Sequence, residues 1–141
     1  MSNSPKSAST RILSSAHYFH VADLDKAVTF YQQVLGFPSK SIYGEPPFFA
    51  ILGRDNVNVM LAQVSDPNVV APAAKRVGSP GAWDAYFWVQ DAQAIFAEFR
   101  SRGAAIDEEP SVKPHGCLEF QLQDADGYVL VFGQNLDAPR S

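Results

Sequence analysis

Three observations predict an α+β fold of two tandem βαβββ modules, a curved mixed sheet wrapped around a cleft. Two segments each lead from an apolar strand through an Asp into a helix-period apolar stripe closed by a Gly. A second pair of segments, each a turn followed by an apolar strand and a closing Gln, recurs at nearly the same offset. The chain has 141 residues, so offsets near 70 make it one unit used twice.

In the first copy, His20-Val21-Ala22-Asp23-Leu24 runs into Ala27, Val28, Tyr31, Val34 and Leu35, with Gly36 at the stop. In the second, Trp88-Val89-Gln90-Asp91-Ala92 runs into Ile95, Phe96 and Phe99, with Gly103 at the stop. Asp before an apolar stripe reads as an N-cap and Gly after it as a C-terminal stop. Asp23 and Asp91 lie 68 residues apart. The stretch 55–63 resembles 126–134, both running from turn residues into a strand. Between these landmarks, strands are predicted over Phe37–Tyr43, Phe48–Leu52, Ala104–Asp107 and Cys117–Gln123. The predicted organisation is a flexible tail (1–11), a first module (12–64), a Pro- and Gly-rich linker (65–81), a second module (82–135) and a C-terminal tail (136–141). A sheet covered by one helix leaves its other face open unless the second unit covers it, which predicts a cleft.

Composition narrows the function classes. With 46% apolar and 18% charged residues the chain is an ordinary globular one. A net charge of -4 without a basic run argues against nucleic acid as a partner. Cys117 stands alone, so neither an intrachain disulfide nor a thiolate cluster is available. No run approaches 18 apolar residues and the start has no apolar leader, so a cytoplasmic protein off the membrane is expected. There is no phosphate-binding glycine loop: Gly78 and Gly81 flank Ser79-Pro80 with no Lys following.

The run from Asp23 to Tyr31, Leu35-Gly36-Phe37 and the turn Asp124-Ala125-Asp126-Gly127 resemble the vicinal oxygen chelate superfamily, the glyoxalase, bleomycin-resistance and extradiol-dioxygenase group. The resemblance covers about residues 12 to 135. Phe49-Ala50-Ile51-Leu52 leading to Arg54-Asp55, Trp88-Val89, and Pro114 through Phe120 look most like the bleomycin-resistance branch. That likeness implies a small homodimeric protein that sequesters a cationic, aromatic-rich drug, an antibiotic-resistance function.

Enzymes of this superfamily hold one divalent metal through four strand positions, and the resemblance places these at Ala16, Met60, Asp84 and Val131. Three of the four are not ligands, and a lone Asp84 does not hold a cation against water, so no cofactor is expected. His17 and His20 are three apart on a strand and point to opposite faces. A rebuilt site from His20, Asp84 and Glu119 is the alternative, with Ni, Mn, Fe or Zn supporting lyase, dioxygenase or isomerase chemistry. A metal-free isomerase with His20 or Glu119 as base is its variant.

Strand alternation from the ligand positions puts Ala16, Tyr18 and His20 into the cleft, facing Asp84, Tyr86 and Trp88. Asn58, Met60, Val129 and Val131 supply a floor, Glu119 and Gln121 point the same way, and Phe48 or Phe49 contributes from a double Phe whose register is open. The candidate ligand-binding set is therefore Tyr18, His20, Phe49, Met60, Asp84, Tyr86, Trp88, Glu119 and Val131, with no catalytic residue assigned. Aromatic faces with a carboxylate suit a flat cation. Against this stands a collapsed cleft in which the same aromatics are core, with Met60 a gap filler and Glu119 in a surface ion pair with Lys113 or Arg76. His115 lies in a Pro-Gly loop at the cleft mouth and reads as solvated. Cys117 reads as a small hydrophobe, a Cys–His pair with His115 being the other option.

Overall fold

The structure, a computed structural model, describes residues 8–78 and 82–137. The predicted tails and the linker fall partly outside this range. The first module is β1 (Ser15–Val21), α1 (Leu24–Gln33), β2 (Ser39–Tyr43), β3 (Phe49–Arg54) and β4 (Val57–Gln63). A short helix, α2 (Ala73–Val77), precedes the second module of β5 (Ala85–Trp88), α3 (Ala92–Ser101), β6 (Ala105–Val112), β7 (Cys117–Gln123) and β8 (Val129–Asn135). The sheets have the orders β1-β4-β3-β2 and β5-β8-β7-β6. In each, the first and last strands pair parallel and the others antiparallel. Among the described residues, two four-stranded mixed sheets with helices, and no closed barrel, make this the predicted α+β fold.

The caps lie where the sequence puts them. Asp23 and Asp91 are extended and accept from the amides of Lys26 and Ala94, satisfying a donor that each first helical turn leaves open. Gly36, at φ 68°, turns the chain out of α1, and Arg102, Arg54 and Glu98 lie where its Cβ would be. Above it, Arg54 donates to both oxygens of Glu98 at 2.8 and 3.0 Å and to the Leu35 carbonyl at 2.8 Å.

Three predicted strands shift. Phe37 is not in β2; it is buried, with its amide bonded to the Tyr31 carbonyl at 2.9 Å, as part of the helix exit. β3 starts at Phe49, leaving Phe48 exposed. β6 runs past Asp107 to Val112 because two register irregularities keep it paired to β7 through Pro110.

The two modules share one apolar core built from their helix-side faces. Phe19 stacks on Tyr128 at 4.5 Å, the His17 ring meets the Phe87 edge at 5.0 Å, and Phe87, Phe99 and Phe120 surround Phe132. Polar ties cross the same boundary: Tyr31 to Asp124 at 2.8 Å, the Ala22 amide to Asp126 at 3.0 Å, and the Tyr128 hydroxyl to the His20 carbonyl at 2.7 Å. Each buried aromatic contributes roughly 1.5–3 kcal/mol. A half-exposed ion pair such as Arg54–Glu98 adds about 1 kcal/mol or less. Apolar burial therefore holds the modules together, and the polar ties set their alignment. No helix among the described residues is long and apolar enough to cross a membrane.

Candidate ligand-binding groove

Because the helix-side residues make the contact between modules, the opposite faces of the sheets stay open. On β1 the alternation is as predicted: Ala16, Tyr18 and His20 are exposed while Phe19 and Val21 are buried. On β5, Ala85 and Phe87 are buried, Tyr86 is half-buried and Trp88 is 65% exposed.

The ladder of the second sheet sets the site. Trp88 pairs with Gly133, and Gly133 pairs with Glu119, so the three form one row across β5, β8 and β7. Tyr86, Val131 and Gln121 form the next row. Gly133 has no side chain, so Tyr86 leans across β8 and donates its hydroxyl to Glu119 Oε2 at 2.6 Å. A Cβ at Gly133 would overlap that hydroxyl. Burial first, then the hydrogen bonds to Glu119 and Cys117, hold Tyr86 as a neutral phenol well above the usual tyrosine range.

His115 reaches the same carboxylate oxygen from the β6–β7 turn, its Nε2 lying 2.7 Å from Glu119 Oε2. That turn closes through Gly116 to Lys113 at 2.9 Å and Lys113 to Cys117 at 2.8 Å. Trp83, Tyr86 and Trp88 continue as an aromatic strip with centroid separations of 5.3 and 4.8 Å. Trp83, Tyr86, Trp88, His115 and Glu119 line an open groove of about 490 Å³. Its floor is the Glu119 carboxylate, 8% exposed as a residue.

The first sheet repeats this pattern with other chemistry. His20, Ala62 and Phe49 form the row matching Trp88, Gly133 and Glu119, and Tyr18, Met60 and Ile51 match Tyr86, Val131 and Gln121. Tyr18, His20, Phe49 and Met60 thus share the open face of the first sheet, and Tyr18 meets His20 edge-on at 5.3 Å.

The single lining predicted from alternation splits in two. Tyr86, Trp88 and Glu119 meet in the groove, whereas Tyr18 and His20 border a separate depression of about 320 Å³ with Asp84 and Tyr128. Val131 is buried at 3% exposure beside Tyr86 on the ladder. Asp84 is engaged elsewhere. Its oxygens accept from the amides of Ala73 at 2.8 Å and Val129 at 2.9 Å, pinning α2 to the start of β8.

Glu119 pairs with neither of the predicted cations: Lys113 pairs with Glu108, and Arg76 lies 3.8 Å from Asp84. His115 has an exposed ring yet is tied to a buried carboxylate, because the turn folds it back over β7. Trp83 is the groove residue that sequence reasoning missed; the sequence places His115 at the cleft mouth but reads it as solvated, and does not foretell the part played by Gly133 beneath Tyr86. The available signal was alternation itself, which puts Cys117 and Glu119 on one face and leaves Gly133 as a gap between them and β5.

The family's metal positions do not fit an ion. Ala16 and Val131 carry no donor, Met60 carries only a thioether, and both Asp84 oxygens are taken by backbone amides. Among the described residues, one group of three donors comes together: His115, Cys117 and Glu119, with donor atoms all within 4.8 Å of one another. His20 and Asp84 are not part of it.

Similar folds occur in solved structures. TioX from Micromonospora sp. ML1 is 22% identical with a TM-score of 0.66, over 87% of this chain and 98% of that one. The bleomycin-binding protein of Streptomyces verticillus, complexed with copper(II)-bleomycin, is 20% identical with a TM-score of 0.65, over 87% and 96%. TnmS3, an antibiotic-binding protein from Streptomyces sp. CB03234, is 21% identical with a TM-score of 0.65, over 89% and 98%. No curated protein matches the sequence. Residues 15–132 match the family described as the Glyoxalase/Bleomycin resistance protein/Dioxygenase superfamily, and the chain belongs to that superfamily.

Proposed function

We propose that this protein binds a small, flat, aromatic molecule carrying positive charge and sequesters it unchanged, using none of the superfamily's usual metal positions. The observation that carries this reading is the strip Trp83–Tyr86–Trp88 lying beside the buried carboxylate of Glu119. Rings stacked on such a strip gain about 0.5–2 kcal/mol per aromatic or cation–π contact. The carboxylate adds charge complementarity, and a net charge of -4 steers cations inward. Two proteins of similar fold bind bleomycin or another antibiotic by their own descriptions, which supports a drug-like ligand.

A homodimer belongs to the same reading. Trp88 at 65% and Tyr18 at 58% exposure are large rings left open to solvent on these faces, and a second copy is the proposed cover.

The test is quenching of tryptophan fluorescence by cationic aromatic antibiotics and by neutral isosteres of the same ring system. Saturable binding of the cations is expected, about 10-fold weaker for the isosteres and for Glu119→Gln, matching the 1–2 kcal/mol of a desolvated cation contact. The recovered ligand is expected unchanged by mass spectrometry. A chemically altered ligand, with turnover lost on Glu119→Gln, would support an enzyme instead.

A further inference from the structure

We propose that His115, Cys117 and Glu119 form a binding site for a borderline-soft divalent transition-metal ion of the zinc type, at the floor of the groove and apart from the superfamily's metal positions. The three donors lie within five consecutive residues and are assembled by ordinary strand geometry. Cys117 and Glu119 are two apart on β7 and share a face, both buried, and the turn through Gly116 brings His115 back over them. Their donor atoms, within 4.8 Å of one another, need only side-chain adjustment to reach the separation of about 3.4 Å that tetrahedral ligands at 2.0–2.3 Å from an ion require.

The donor set selects the ion. Thiolate, imidazole and carboxylate together suit zinc, cobalt or nickel and disfavour magnesium and calcium, which take oxygen. Tyr86 supplies the outer support, since its hydroxyl bonds Glu119 and lies against Cys117. Three protein ligands leave a fourth position, and this one opens toward Trp83, Tyr86 and Trp88, the arrangement of a site that keeps a place for an exogenous donor.

On binding, the metal–sulfur bond forms as the thiol proton leaves to solvent, and the hydrogen bond between His115 and Glu119 is exchanged for coordination. The floor goes from one negative charge to neutral. An ion and an aromatic cation therefore compete for Glu119. The site does not rest on the sequestration reading, because its donors are defined without any organic ligand.

The experiment is titration of Co²⁺, then Zn²⁺, into reduced, chelator-treated full-length protein with no organic ligand present. One Co²⁺ per chain is expected, with a thiolate-to-cobalt charge-transfer band and the visible bands of a tetrahedral site, both removed by one equivalent of Zn²⁺. Cys117→Ser is expected to abolish the charge-transfer band. His115→Ala is expected to weaken binding about 100-fold, the upper range seen even for outer-shell partners. Because the His115 side chain is 59% exposed in a turn, its removal leaves the core intact and keeps the test valid whether or not Cys117→Ser folds. Absence of the charge-transfer band in the parent protein, or unchanged Co²⁺ affinity in His115→Ala, would overturn the proposal. Neither result depends on aromatic cations binding.

Discussion

Asp124 shows what a single residue contributes to joining the modules. Its carboxylate accepts from the Tyr31 hydroxyl at 2.8 Å and from the amides of Asp126 and Tyr128 at 2.9 Å. Burial raises its pKa from 3.8 to about 6, outweighing the hydrogen bonds that favour the charged form. A folded-state value above the unfolded one gives a contribution that is fully present below pH 3.8 and is lost as pH rises through about 6. That difference corresponds to roughly 3 kcal/mol at most. Asn keeps an acceptor for the two amides but does not titrate. Thermal unfolding of wild type and Asp124→Asn between pH 4 and 7 should therefore show wild type gaining on the variant as pH falls. Parallel profiles would remove Asp124 as the source.

At the scale of elements, helix ends were legible and α2 was not. An N-cap Asp and a stop Gly act within one turn, so Asp23, Gly36, Asp91 and Gly103 announce α1 and α3 in the sequence itself. α2 has only five residues between Pro72 and Gly78, too few to show a period, and its first amide is satisfied by Asp84, eleven residues on. The groove was half legible for the same reason. Alternation places Tyr86, Trp88 and Glu119 on one face, but their meeting depends on the Tyr86 ring crossing a third strand at Gly133, which no local pattern encodes. Asp84→Ala carries the matching prediction. It strands two inward amides at about 1–3 kcal/mol each. Stability should fall by roughly 2–4 kcal/mol in denaturant titration while the affinity of the groove for an aromatic cation stays within about 2-fold. A selective loss of affinity at unchanged stability would return Asp84 to the ligand-binding set.

For the whole molecule, duplication does not mean independence. The described core is a single cluster in which Phe19 of the first module packs on Tyr128 of the second, with the half-buried His17 ring against Phe87 at its side. A fragment of residues 82–137 alone would uncover Phe87 and Tyr128, which His17 and Phe19 cover in the whole chain. At that length a hydrophobic core is marginal, so losing the contacts of the partner module tips the balance toward unfolding. The expected result is collapsed amide dispersion in the NMR spectrum of the fragment, and recovery when residues 8–78 are added. A well-dispersed spectrum of the isolated fragment would show that the module is self-sufficient.

Gly133 has one more consequence, because the ladder that surrounds it exists twice. Tyr18 already stands on the first sheet where Tyr86 stands on the second, with Ala62 in place of Gly133 and Phe49 in place of Glu119. Two substitutions, Ala62→Gly and Phe49→Glu, should therefore transplant the tyrosine–carboxylate clasp into its sister module. The pair of sheets is in effect a chassis with two interchangeable sockets, one fitted for charge and the other for stacking. Binding stoichiometry for an aromatic cation rising from one to two per chain would show that the vacant socket had been rewired.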